Sequence, residues 1–473
     1  MKKFQTTFLL IILFTSIVGC KKFLEEEPKS IASPQTILSS VQGLDAALVG
    51  AYSNISGWTK MYSWDVLKLN ESLVDYQYAP QAPDFSNGNV LSSDYPVNFA
   101  WSNLYKIISS ANLVLANLNN IADDPNKTRI EGEAKFLRAW AYFDLVQFFG
   151  DVPLVLDPVN DPSNFQPPRS PQADVYNQII ADLKDAESMM NDASPQPSRA
   201  NKWIAKAYLA KVYLTMAGNP NNITTYDGAN TYSLALDKAK EVINSNKYSI
   251  NVPYQDVFWT TGDAETIWEV RCPATQALYN HFTFLSQAIF TPTDNFIASF
   301  DPQDVRGPKW GIRTSYDYNG TTYTFPLPTY IKFVDTVQYA TGQQFQSGLS
   351  ITVIRLADVI LMAAEADNEV NGSPSADAYK WINEVRSRAG ISNLTAGLSQ
   401  AAFREAIFTE RRKELYGEGF SWFDLKRFNK FNLLNTTGRP FVTGIDEHLN
   451  YYPIYNAETI NNPNVTQNTG WPG

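Results

Sequence analysis

The sequence predicts a mostly helical protein, on three observations. Long segments repeat apolar residues at i, i+3 and i+4, these segments end at glycine or proline, and one region between them loses the period. Helical spacing dominates residues 42–246 and 353–430. Residues 247–350 alternate short apolar runs with Pro, Gly, Asp and Asn, which predicts loops and short strands.

The chain opens with Lys2 and Lys3, an apolar run FLLIILF, and Ile17-Val18-Gly19-Cys20. The uncharged stretch Phe4 to Gly19 is 16 residues long, short of the roughly 20 that a membrane-spanning helix needs. Residues 1–19 therefore read as a cleaved export signal. A cysteine straight after the small residue resembles a bacterial lipoprotein signal, in which Cys20 is the site of lipid attachment. Several acyl chains on one residue tether a domain durably, where one chain binds only marginally. The acidic run KKFLEEE that follows resembles the tags that place such proteins on the outer face of an outer membrane.

In EAKFLRAWAYFDLVQFFG apolar residues occupy nearly every face, and Gly150 with Pro153 supplies a stop, so this helix is expected to lie in the core. ANKWIAKAYLAKVYLTM (200–216) and TYSLALDKAKEVINS (231–245) read as an antiparallel pair joined by an Asn- and Gly-rich loop. Leu356, Val359, Ile360, Ala363 and Ala364 share one helical face, and a further helix closes at Gly390. Helix hairpins repeated in this way form a scaffold similar to tetratricopeptide arrays. Residues 54–96 carry weaker periodicity and many aromatics. Long irregular segments rich in Trp and Tyr are usually functional, so the ligand surface is expected in 54–96 and 247–350.

Loss of residues 1–19 takes the net charge from −10 to −12. Binding nucleic acid through counterion release needs a basic surface, and adhesion to anionic lipid a polybasic stretch; the chain offers neither. Cys272 is the only other cysteine, so a lipidated Cys20 leaves no disulfide, and stability rests on the core. The length would accommodate two or three domains.

Five segments together resemble the SusD/RagB family: EGEAKFLRAWAYFDLVQFFGDVPL from Glu131, RLADVILMAAEA from Arg355, INEVRSRAG from Ile382, ERRKELYGEGFSWFDLKRF from Glu410 and the tail YYPIYNAETINNPNVTQNTGW from Tyr451. The resemblance implies one composite domain over 20–473, with about four helix pairs of tetratricopeptide type supporting a variable loop region. It further implies a surface-exposed, lipid-anchored protein that binds a glycan or other nutrient, caps a SusC-like TonB-dependent outer-membrane barrel, and uses no cofactor.

Around Arg411 the sequence crowds Glu410, Glu414, Glu418 and Asp424 with Arg412 and Arg427. An apolar face of Phe403, Ile407, Phe408 and Leu415 makes structural pairing the better reading, with Ser421 and Asp424 as a capping box; Arg138 with Asp144, and Asp304 with Arg306, read the same way. A sugar ring presents C–H groups to the negative face of an aromatic ring, so a glycan site calls for flat side chains in loops. The candidates for such a platform are Tyr76, Tyr78, Trp259, Tyr279, Trp310, Tyr316 and Tyr318. Trp64, Trp101 and Trp268 read as core.

Two other classes compete. No P-loop, Gly-x-Ser-x-Gly elbow or His-Glu-x-x-His motif is present, and His281 and His448 are far apart. Cys272 reads as a small strand hydrophobe. Glycoside hydrolysis needs only two carboxylates and stays open on sequence, as does a protein-interaction scaffold that binds no small ligand.

Overall fold

A computed structural model of the chain describes residues 37–471 other than 58, 160, 162–164, 272–289, 343–346 and 436–444. The signal segment 1–19, Cys20, Cys272, Tyr279 and His281 lie outside the described residues. No described helix is long and apolar enough to cross a membrane.

Eight helices form the scaffold: α3 (Tyr95–Asn117), α4 (Lys127–Phe149), α5 (Gln172–Met189), α6 (Lys202–Ala217), α7 (Thr231–Ile243), α8 (Leu356–Asn371), α9 (Ala376–Ala389) and α10 (Gln400–Leu415). Each packs on its successor from α3 to α10, giving four consecutive pairs. Among the described residues two longer helices precede them, α1 (Val41–Tyr52) and α2 (Trp64–Glu71), with a single turn at Pro83–Ser86, and α1 packs on α3 and α4. Helix α4 is apolar all round because neighbours cover it on several sides, and Gly150 ends it at φ 74°. In α6 Asn201 caps the first turn by accepting from Trp203 N and Ile204 N, while buried Ala205, Ala207 and Ala210 leave room for close neighbours. Gly390, at φ 80°, closes α9 where a glycine stop is expected.

The third pair is split in sequence. Between Ile243 of α7 and Leu356 of α8 the chain leaves the scaffold, builds the strand region and returns. Its exit and return strands, β2 (Thr266–Val270) and β6 (Ile351–Arg355), pair antiparallel, which closes the excursion at its base. Trp268 of β2 is 2% exposed, and its ring packs edge-on against Phe136 and Trp140 of α4. The core readings for Trp268 and Trp101 agree with the structure, and Trp64 is partly buried against the same core.

The charged residues near Arg411 hold the corner between helices. Arg355 pairs with Glu265, Glu414 and Glu418, Arg306 with Asp304, Glu410 and Glu414, and Lys332 with Glu418, all of them buried. Arg411 bridges Asp358 and Asp424 at 2.8 Å each. Two details differ from the sequence reading. Arg138 pairs with Asp182 rather than Asp144, because an α4 side chain reaches the neighbouring helix α5 more readily than one on another face of its own. In α11 (Ser421–Arg427) the N-cap is Phe420, with no side-chain cap; Ser421 Oγ lies 2.6 Å from the Tyr76 hydroxyl, and Asp424 is taken by Arg411 and Arg427.

The segment 54–96 also departs from expectation. Helix α2 occupies part of it, and Leu69, Leu73, Val74 and Tyr76 are buried, so most of this stretch threads through the core rather than presenting rings.

Candidate functional site

The strand region gathers most of the candidate rings. Strands β4 (Ile312–Tyr318) and β5 (Thr321–Tyr330) form an antiparallel hairpin, turned by Asn319 at φ 49° and Gly320 at φ 78°. Two consecutive positive φ values match the twist of a two-residue hairpin, and Asn-Gly adopts them at least cost. Side chains alternate between faces, so Tyr316 and Tyr318 share one face with Tyr323 and Phe325. The opposite face carries Asp317, Thr322 and Thr324, with Thr322 Oγ1 donating to Asp317 at 2.6 Å.

Tyr316 lies opposite Tyr323 in the register, with ring centroids 5.3 Å apart and planes 16° from parallel. Phe325 stacks at 5.7 Å, Tyr339 meets Tyr316 edge-on at 5.9 Å, and the Tyr316 hydroxyl donates to Thr336 O. This small cluster is separate from the main core, and Trp310 packs against both. Trp310 in turn meets Trp259 at 5.2 Å and 69°, and Tyr254 at 5.9 Å and 89°. Trp259 is 37% exposed. The Tyr254 hydroxyl donates to Glu414 O at 3.1 Å and lies 3.2 Å from Lys332 Nζ, so the ring beneath Trp310 is anchored to the buried ion network.

The turn that carries Trp310 requires a glycine. A Cβ on Gly311 would lie 2.0 Å from Arg306 O and 2.5 Å from the Tyr416 hydroxyl, and Gly311 bonds through its backbone to Val305 and Ile331. The close approach of Gly311 to Arg306 O thus fixes the turn that presents Trp310.

Tyr78 sits half-buried on β1 (Gln77–Tyr78), paired with Thr291 of β3 (Thr291–Pro292), and β3 packs on β5. Four candidates remain partly accessible: Tyr78, Trp259, Trp310 and Tyr318; of these, Trp259 meets Trp310, and Trp310 and Tyr318 pack on the same small cluster. Two do not serve as platforms. Tyr76 has no exposed surface; its hydroxyl donates to Glu71 at 2.6 Å and accepts from Gly417 N at 2.9 Å, while its ring packs on Phe296. Burial also pushes its phenol well above the usual tyrosine range. Tyr316 is 8% exposed because Tyr323 and Phe325 cover it, so it supports the hairpin face. Sequence reasoning passed over Tyr254 and Tyr339, and the Asn319-Gly320 turn signal would have located the hairpin that places the latter. Among the described residues, no group of three or more His, Cys, Asp or Glu is arranged to hold a metal ion.

Two family descriptions match the chain: "SusD family" over residues 306–471 and "Starch-binding associating with outer membrane" over 22–214. SusD-like protein P2 of Formosa agariphila is 26% identical, over 99% of both chains. The structure is similar to that of a SusD superfamily protein from Parabacteroides distasonis, with TM-score 0.81 and 26% identity over 91% of this chain and 99% of that one. A laminarin-binding SusD-like protein superposes with TM-score 0.73 at 25% identity, over 90% and 99% of the two chains. The chain belongs to the SusD/RagB family.

Proposed function

We propose that this protein is a cell-surface glycan-binding lipoprotein, anchored through Cys20, that captures its ligand on the half-exposed rings of the strand region. The reading extends to another nutrient in place of a glycan, and to delivery of the ligand into a SusC-like TonB-dependent barrel that the protein caps. The observation that carries it is the Trp259–Trp310 pair, 5.2 Å apart and held over the buried ion network by Tyr254. The laminarin-binding neighbour and the starch-binding family description support a carbohydrate as ligand.

A ring contact contributes roughly 0.5–1.5 kcal/mol beyond area burial, and millimolar affinity needs about 4.1 kcal/mol. Several rings must therefore act together, which suits Trp259 and Trp310 in contact, Tyr318 on the same small cluster, and Tyr78 as a further half-accessible ring. Exposed Gln255, Arg313 and Asn319 supply hydrogen bonds for hydroxyl groups. The role assigned is binding without turnover.

Titration calorimetry against starch and laminarin fragments tests the reading. Affinity that falls in Trp259→Ala/Trp310→Ala, with no release of reducing ends, supports it. Release of reducing ends transfers the protein to the glycosidases, and absence of affinity for any fragment leaves an interaction scaffold.

A further inference from the structure

A second concave surface lies away from the rings just described and shares no residue with them. Between α3, residues 153–159 and 165–167, and the C-terminal helix α12 (Asn456–Asn461) runs a cleft of about 630 Å³, within the size range of small-molecule sites. Tyr105, Ile108 and Trp101 of α3 form one apolar wall, and Val159 and Phe165 the other. Phe165 is 43% exposed, and exposed Tyr95 and Ile460 stand on the two helices that frame the cleft. A cleft bordered by so much accessible apolar surface is a binding feature rather than ordinary exterior.

The chemistry of the walls selects the ligand. The charged lining side chains are Lys106, Asp157 and Glu458, one base against two acids, so the cleft does not favour an anion. Ser102, Ser109, Asn461 and Gln166 add neutral hydrogen-bonding groups, which a purely hydrocarbon ligand would leave unmatched. An extended peptide would need free backbone groups to pair with. Four carbonyls of the described wall are already engaged: Pro153 O accepts from Tyr105, Val155 O from Asn112, Gln166 O from Asn464 and Pro167 O from Asn462. What remains is a neutral ligand with alternating apolar faces and hydroxyl edges.

We infer that the cleft between α3, residues 153–159 and 165–167, and α12 is a second oligosaccharide-binding site, in which Phe165 and Tyr105 contact sugar faces while Ser109, Gln166 and Asn461 meet hydroxyl groups. It rests on the glycan-binding reading and adds to it a location that gives the protein two points of attachment to one long chain. Two weak sites on one polymer raise overall avidity without any new contact within either site.

The test is calorimetry with starch and laminarin fragments on the full chain and on three variants: Ser109→Trp, which fills the cleft from an exposed position, Phe165→Ala, and Trp259→Ala/Trp310→Ala. Ser109→Trp should remove one bound oligosaccharide per chain, and Phe165→Ala should weaken that site roughly 2- to 10-fold, the loss of one ring contact. The Trp259/Trp310 variant should retain it. Unchanged stoichiometry and affinity in both cleft variants, with all binding lost in the Trp259/Trp310 variant, overturns the second site and leaves the first. Binding lost only in the cleft variants keeps the cleft and overturns the strand-region site. A wild-type protein that binds none of the fragments overturns both.

Discussion

Arg355 grips Glu418 with two hydrogen bonds, Nε to Oε2 at 2.7 Å and Nη2 to Oε1 at 2.8 Å, at a point where neither side chain reaches solvent. The same guanidinium holds Glu265 and Glu414, so it joins three acids drawn from β2's entry, α10 and the corner after it, which Arg306, Lys332 and Arg388 also pair. Removing it leaves buried charge uncompensated, which costs roughly 3–5 kcal/mol. Arg355→Ala should show that loss in a urea melt, and a melt within about 1 kcal/mol of wild type would contradict it.

Tyr76 and Trp310 should separate stability from binding. Tyr76→Phe deletes the hydroxyl that serves Glu71 and Gly417 N, leaving a buried acceptor and a buried donor short of a partner, a cost of roughly 1–3 kcal/mol. Its glycan affinity should match wild type. Trp310→Ala should do the reverse, lowering affinity roughly 2- to 10-fold with a smaller effect on melting. Calorimetric titration and thermal melts on the same preparations read both.

Gly311 links the two properties. A methyl group there meets backbone, which cannot swing aside, so Gly311→Ala should destabilise by roughly 1–3 kcal/mol and also weaken glycan binding by displacing Trp310. Restored affinity at lowered temperature without restored melting would show that the turn does not place the ring.

Glu71 gives a pH signature. Burial raises its carboxyl to about 7, despite hydrogen bonds from Tyr76 and Gly419 N and the nearby Lys332. Its folded value lies above its unfolded value of 4.5, so the folded state binds the proton more tightly. The associated stability is fully present below about pH 4.5 and is lost as pH rises through about 7. A Glu71→Gln variant lacks this dependence. Between pH 4 and pH 8 the stability difference should move in the variant's favour by on the order of 3 kcal/mol, measured by urea denaturation at each pH. A constant difference across that range would exclude the assignment.

The periodicity of 131–150, 200–216, 231–245 and 356–390 was sufficient to place those helices, because their apolar stripes and glycine stops are local properties. The aromatic residues were less legible. Tyr76 and Tyr78 stand two positions apart in the same polar-looking stretch, yet one is sealed against Phe296 and Glu71 while the other remains half-accessible on β1. Nothing within a few residues of either distinguishes them; the difference is made by partners hundreds of positions away, Gly417 and Ser421 among them.

By itself the sequence determined the helical class, the family resemblance and the structural character of the charges near Arg411, since each is written in spacing or in contiguous motifs. Tertiary structure alone decided that α7 and α8 close into one pair across the strand region, that Trp259 and Trp310 meet over Tyr254, and that a second cleft opens beside α3. Exposure of a ring depends on what the rest of the chain packs against it, and that is a sum over distant contacts which no local pattern encodes.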